Sequence, residues 1–238
     1  MKKLKIAMIG TAFAGAIVLM VGNNGSFSWF TSETSASGQL TNGTLELNDG
    51  NNISGNIVQA TNFAPSQLIF GDWLEVGNTG TLDAHLRTTY SHSIDVAAPI
   101  DAYKVGYIAI KYTVAPDKDV YEGAQYDLQK LFDGVTNERQ SASVSMTQEK
   151  KLNGVEILTG IVDEDAYTDN ATSFIFGDGA LDGDKNKFWQ LKQGQYIDIN
   201  IGVKLDAEAG NEYQGATYEA VLDVLGKQTD EGALYTEK

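Results

Sequence analysis

Between residues 196 and 205 the chain alternates with a period of two. Ile197, Ile199, Ile201, Val203 and Leu205 share one side, and Tyr196, Asp198, Asn200, Gly202 and Lys204 the other. Successive side chains of a strand point to opposite faces, so this stretch is predicted to be a half-buried strand of an antiparallel sheet. Residues 106–114 repeat the pattern with Ile108, Ile110, Tyr112 and Val114 inward. Residues 216–224 do so with Tyr218, Ala220, Leu222 and Val224 together. Weaker strand patterns cover 45–47, 57–60, 72–76, 82–90, 141–147 and 155–162. Turn chemistry separates them, most clearly at Asn48-Asp49-Gly50-Asn51, Asn78-Thr79-Gly80 and Gly177-Asp178-Gly179. One helix is predicted over 124–132, where Ala124, Leu128, Leu131 and Phe132 fall on one side and Gly134 follows as a stop. Some eight to ten short strands with one short helix predict an all-β class, an antiparallel sandwich of the jelly-roll or Greek-key kind. No internal repeat of fixed period is visible.

The first residues depart from this pattern. Lys2, Lys3 and Lys5 precede an apolar run from 6 to 21, and small residues follow it. Charge, apolar core and small residues in that order predict a secretory signal peptide over 1–28, cleaved after Ser28 because Ser26 and Ser28 stand at −3 and −1. The run is short for a span, which needs roughly 20 apolar residues; an uncleaved anchor is the alternative. Removal of 28 residues from 238 leaves 210, a length that suits one all-β domain, predicted over 41–238. Between signal and domain, residues 29–40 form a Ser/Thr-rich segment with no Leu, Ile or Val before Leu40.

Composition narrows the chemistry. The chain has no cysteine, so an exported form must rest on its core rather than on disulfides. The net charge is −15, and loss of three lysines with the signal makes it −18. This argues against nucleic-acid partners and, after signal cleavage, against membrane surfaces. Cysteine nucleophiles are excluded, and no H-E-x-x-H helix, G-x-S-x-G elbow or phosphate loop occurs. The two histidines, His85 and His92, are seven apart and would face opposite ways on one strand; both read as surface residues rather than metal ligands. Asp182, Asp184 and Asn186 alternate like the start of a calcium loop, but Lys187 and Gln193 stand where such a loop needs Gly and Glu. This loop and Asp163-Glu164-Asp165 read as solvated acidic turns, with calcium binding left open. Trp73, Trp189 and the tyrosines could line a glycan surface, though aromatic residues on strands more often belong to the core. No catalytic residue, metal site or cofactor is assigned, and the chain reads as not an enzyme.

Four short motifs then support a resemblance. Gly43-Thr44-Leu45-Glu46-Leu47, Asn62-Phe63-Ala64-Pro65, Asn78-Thr79-Gly80-Thr81-Leu82 and Asn211-Glu212-Tyr213-Gln214-Gly215 follow the export signal in the order found in the TasA/camelysin (CalY) family of secreted bacterial fibre proteins. They are similar to that family's G-T-L-D-L, N-L-x-P, N-x-G-S-L and N-x-Y-Q-G. The family usually carries Gly-Asp directly after the proline; here Ser66-Gln67 stand there, and the nearest Gly-Asp is Gly71-Asp72. The resemblance implies a jelly-roll fold, export to the cell surface or extracellular matrix, and assembly into biofilm matrix fibres. Some members of the family carry a metallopeptidase label, for which this sequence offers no residues.

The segment 29–40 acquires a candidate role from this. Extended at ~3.3 Å per residue it reaches ~40 Å. One face reads Phe30, Ser32, Thr34, Ala36, Gly38 and Leu40, uncharged with a hydrophobe at each end; Trp29 opens the other. Such a chain can add as a strand to an exposed sheet edge, and the resemblance implies polymerisation in that way (donor-strand complementation). A head-to-tail contact that does not close makes filaments. The expected partner is therefore the protein itself, with a possible accessory protein that anchors or nucleates the fibre. A metal-dependent surface peptidase and a calcium- or glycan-binding jelly roll are the alternatives.

Overall fold

The computed structural model describes residues 45–48, 53–137, 147–152, 154–162, 172–181 and 184–228. In chain order its first strands are β1 (Ile53–Thr61), β2 (Leu68–Phe70), β3 (Leu74–Gly77), β4 (Ala84–Ile94) and β5 (Tyr103–Tyr112). Helix α1 (Lys118–Asn137) follows, then β6 (Thr147–Leu152), β7 (Val155–Ile161), β8 (Ser173–Asp178) and the four-residue helix α2 (Asp184–Lys187). β9 (Gln190–Leu191), β10 (Tyr196–Leu205) and β11 (Thr217–Gln228) complete the described chain. The strands make two antiparallel sheets. One runs β1-β11-β4-β8, with β9 also on β4; the other runs β2-β10-β5-β7-β6, with β3 also on β10. Strands distant in sequence thus lie side by side, as in a jelly-roll-like sandwich, and the predicted all-β class is the observed one.

The sandwich core is the row read from the sequence. Ile197, Ile199, Ile201, Val203 and Leu205 of β10 face Tyr218, Ala220, Leu222 and Val224 of β11, and all are buried in one cluster. The expectation of a wet outer face is wrong for the second sheet. Asp198, Asn200 and Lys204 on the other side of β10 are buried as well. On β5, Ile108, Ile110 and Tyr112 point away from the sandwich, whose interior takes Tyr103, Val105, Tyr107 and Ala109 instead. Val114 lies beyond the strand and is exposed.

The cause is α1, which lies across the outer face of that sheet. Ala124, Leu128, Leu131 and Phe132 are buried there against Ile108, Ile110 and Ile157. The three large side chains contribute roughly 1.5–3 kcal/mol each. The helix has 20 residues, more than twice the predicted span, and Gly134 does not end it. An interior glycine costs only ~1 kcal/mol, and tertiary burial outweighs that. Close approach of helix to sheet needs Gly106: a Cβ there would lie 2.8 Å from Leu128 Cδ1 and 2.9 Å from the Phe132 ring.

The remaining differences concern weakly patterned segments. β2, β6, β8 and β9 are short or terminal strands that show no period-two signature. Of the strand predicted at 141–147, residues 141–146 lie outside the described residues, and the observed strand starts at Thr147. The predicted strand at 45–47 is reduced to a single bridge, Leu47 to Asn78. Gly177 and Asp178 end β8, with a register shift opposite Thr88 and Thr89.

Candidate functional site

Trp29, Phe30, Ser32, Thr34, Ala36, Gly38 and Leu40, the predicted donor segment, lie outside the described residues, as do the signal segment 1–28 and the acidic turn at Asp163. What the described residues do contain is the set of sheet ends that such a strand would meet. At one seam the two sheets are clipped together. Gly71 N donates to Ile201 O at 2.9 Å, and Asp72 N donates to Ile57 O at 3.0 Å. A Cβ on Gly71 would lie 2.1 Å from Ile57 O, so the clip requires glycine. At the opposite ends of the two sheets, β8 and β6 are the terminal strands among the described residues. β6 reads TQEKKL, with Lys150 beside Asp127 and Lys151 beside Glu156; lysines on an edge discourage strand addition. β8 reads SFIFGD, uncharged before Asp178, with Phe174 and Phe176 buried and Ile175 exposed.

Three of the four family-like motifs fall on turns and corners; Gly43 and Thr44 of the first lie outside the described residues. Ser66 has φ 66°, the left-handed region that favours glycine, and its N donates to Leu205 O at 2.9 Å. Gln67 closes the same turn by accepting from Ala64 N at 2.9 Å. Buried Asn78 is a hub. Its Nδ2 donates to Leu82 O and Leu191 O, and its Oδ1 accepts from Gly80 N. Tyr213 donates to Pro99 O at 2.7 Å, and Gly215 turns the chain at φ 76°.

The histidines need a correction. They do face opposite ways on β4, but His92 is buried rather than superficial. Its Nδ1 lies 2.7 Å from Tyr218 Oη, which in turn bonds Tyr90 Oη at 2.6 Å. The inward register of β4 places it among aromatic rings, including Phe174 at 5.2 Å. His85 is partly buried; burial lowers its pKa against the opposing pull of Asp178 and Asp83. Among the described residues no group of three or more His, Cys, Asp or Glu side chains is placed to hold a metal. Asp182 lies outside them. Asp178 is buried, its Oδ1 accepting from Ala180 N at 2.9 Å and its Oδ2 4.0 Å from Arg87 Nε.

A cleft of about 530 Å³ opens between the first turns of α1 and the β3–β10 side of the second sheet. Its floor is Asp198, 6 % exposed. Tyr121 Oη of α1 donates to Asp198 Oδ2 at 2.5 Å, and Tyr112 Oη of β5 lies 3.1 Å from both Asp198 oxygens and 3.0 Å from Glu75 Oε2. Trp73 stands edge-on to Tyr121, with ring centroids 4.9 Å apart. Lys118 at the mouth is 2.6 Å from Glu122. Burial raises the Asp198 carboxyl above its ordinary range, opposed by the two phenols. Sequence reasoning reached Trp73 as a possible binding aromatic but placed Asp198 on a wet face. The helix that covers that face carries no mark in the alternation of β10. A carboxylate set within so apolar a strand was the available signal. Trp189, paired with Trp73 in the sequence reading, is core.

Comparison of the chain with protein-family models, with curated proteins and with solved structures finds no significant match.

Proposed function

We propose that this protein is a secreted structural subunit that polymerises head-to-tail into extracellular matrix fibres. In this reading residues 29–40 of one copy add as a strand to the next, and β8 is the acceptor edge. The observation that carries it is a jelly-roll-like sandwich in which, among the described residues, β8 ends one sheet and is uncharged before Asp178 while β6 ends the other and is lysine-guarded, in a chain that also carries a separate twelve-residue segment with one uncharged face. An added strand would form main-chain bonds along β8 and cover Ile175. The resemblance to the TasA/camelysin family supports the reading. So does Ser66, which holds a glycine-type conformation at the position where that family has glycine. The reading includes export, cleavage after Ser28 and no intrinsic hydrolysis; chelator-sensitive casein digestion by homogeneous protein would contradict the last of these.

Electron microscopy of the mature protein tests assembly, with Ala36→Asp and Ser35→Asp compared at equal concentration. Ala36 lies on the uncharged face, where an unpaired buried carboxylate costs on the order of several kcal/mol. Filaments are expected from the wild type and from Ser35→Asp, and none from Ala36→Asp. Equal filament formation by the two variants rejects strand addition.

A further inference from the structure

We infer that the cleft between α1 and the β3–β10 side of the second sheet binds an alkylammonium group, the chemistry of a lysine side chain or a free primary amine. The cleft is separate from β8 and β6, and the inference is independent of fibre assembly. Its volume of about 530 Å³ lies within the range of small-ligand sites.

Hydrogen counting selects the ligand. A phenol has one proton. Tyr121 spends its own on Asp198. Tyr112 stands within hydrogen-bond distance of both Asp198 and Glu75 but can donate to only one of them. At the other it meets a carboxylate oxygen with no hydrogen between, unless a carboxyl proton or an outside donor intervenes. The cluster is therefore short of a donor. It is also short of positive charge, because Lys118, the cation at its mouth, is engaged by Glu122. An ammonium brings three N–H donors and a charge, while its alkyl stem suits the Trp73 face, which also attracts cations. An anion would meet Glu75, Asp198 and Glu122. A neutral alcohol would supply the hydrogen without the charge.

The test follows the Trp73 indole and Gln125 amide signals by ¹H–¹⁵N NMR on the full chain. Two probes are titrated, n-butylammonium and N-acetyl-lysine N-methylamide. n-Butanol and the ε-acetylated lysine derivative serve as neutral counterparts. Saturable shifts are expected with the cations and not with the neutral compounds. Response to n-butylammonium alone identifies a small amine as the ligand, and a preference for the lysine derivative identifies a protein lysine. Asp198→Asn, close in shape, is expected to weaken binding about tenfold or more. Glu75→Gln, at an exposed position, is expected to weaken it several-fold and serves if the first variant does not fold. Equal shifts with n-butanol, undiminished binding by these variants, or no saturable shift with either cation overturns the inference.

Discussion

Truncating Leu128 probes the contact that joins helix to sheet. The side chain is fully buried, and its Cδ1 and Cδ2 reach to 2.8 Å and 3.1 Å from where Cβ atoms of Gly106 and Gly202 would stand. Leu→Ala in a core costs ~2–5 kcal/mol, more where the surroundings cannot collapse. Here the floor of the socket is strand backbone, held on β5 and β10 by the paired register Gly202–Gly106. The expected loss for Leu128→Ala is therefore in the upper half, about 3–4 kcal/mol. Gly106→Ala alone drives a methyl into Leu128 and Phe132, at about 1–3 kcal/mol. Combined, the new methyl enters space vacated by Leu128, although the Phe132 ring at 2.9 Å still resists it. The double variant should be less damaged than the sum of the two by about 1 kcal/mol. Urea unfolding followed by circular dichroism measures all three, with unchanged m values as the check on two-state comparison. Additivity within ~0.3 kcal/mol would show that the two residues do not share one socket. A Leu128→Ala loss below ~1 kcal/mol would show that α1 is not seated as described.

Other expectations follow from single sites. Ser66→Gly relieves a left-handed serine and should raise stability by about 0.5–1 kcal/mol, read as a higher Tm; a fall would mean that the turn is not as described. The folded pKa of Asp198 is raised, so its contribution to stability is fully present below its unfolded pKa and is lost as pH rises through the folded value. The groups facing it are Glu75 on β3, Tyr112 on β5 and Tyr121 on α1. Asp198→Asn supplies the missing hydrogen permanently, so relative to wild type it should gain stability with rising pH and lead by about 1–3 kcal/mol at neutral pH; parallel pH curves for the two proteins would refute this. Mass spectrometry of secreted material should place the mature terminus at Trp29, and a terminus beyond Leu40 would remove the proposed donor strand.

The alternation of 196–205 and 216–224 was sufficient to identify β10 and β11 and the faces they turn to the core, because a period of two admits only one apolar side. The apolar stripe of α1 was legible for the same reason at its own period. It named Ala124, Leu128, Leu131 and Phe132 correctly, but not the helix's length. What alternation cannot report is whether the second face of a strand is also covered. Ile108, Ile110 and Tyr112 form an apolar row that suits either side of a sheet, and only the placement of α1 decided that they face the helix. Asp198 shows the same limit from the polar side. Its position in β10 reads as solvent-facing, yet Tyr112 and Tyr121, 86 and 77 residues away, close over it. Terminal strands such as β8 and β6 escaped because a strand with a single neighbour carries little periodic constraint. The clip at Gly71 escaped because the carbonyl that demands glycine belongs to a different strand, β1. Local pattern thus determined which residues are apolar partners. Long-range packing decided which faces are dry, where the sheets end, and that four separate segments meet around one buried carboxylate.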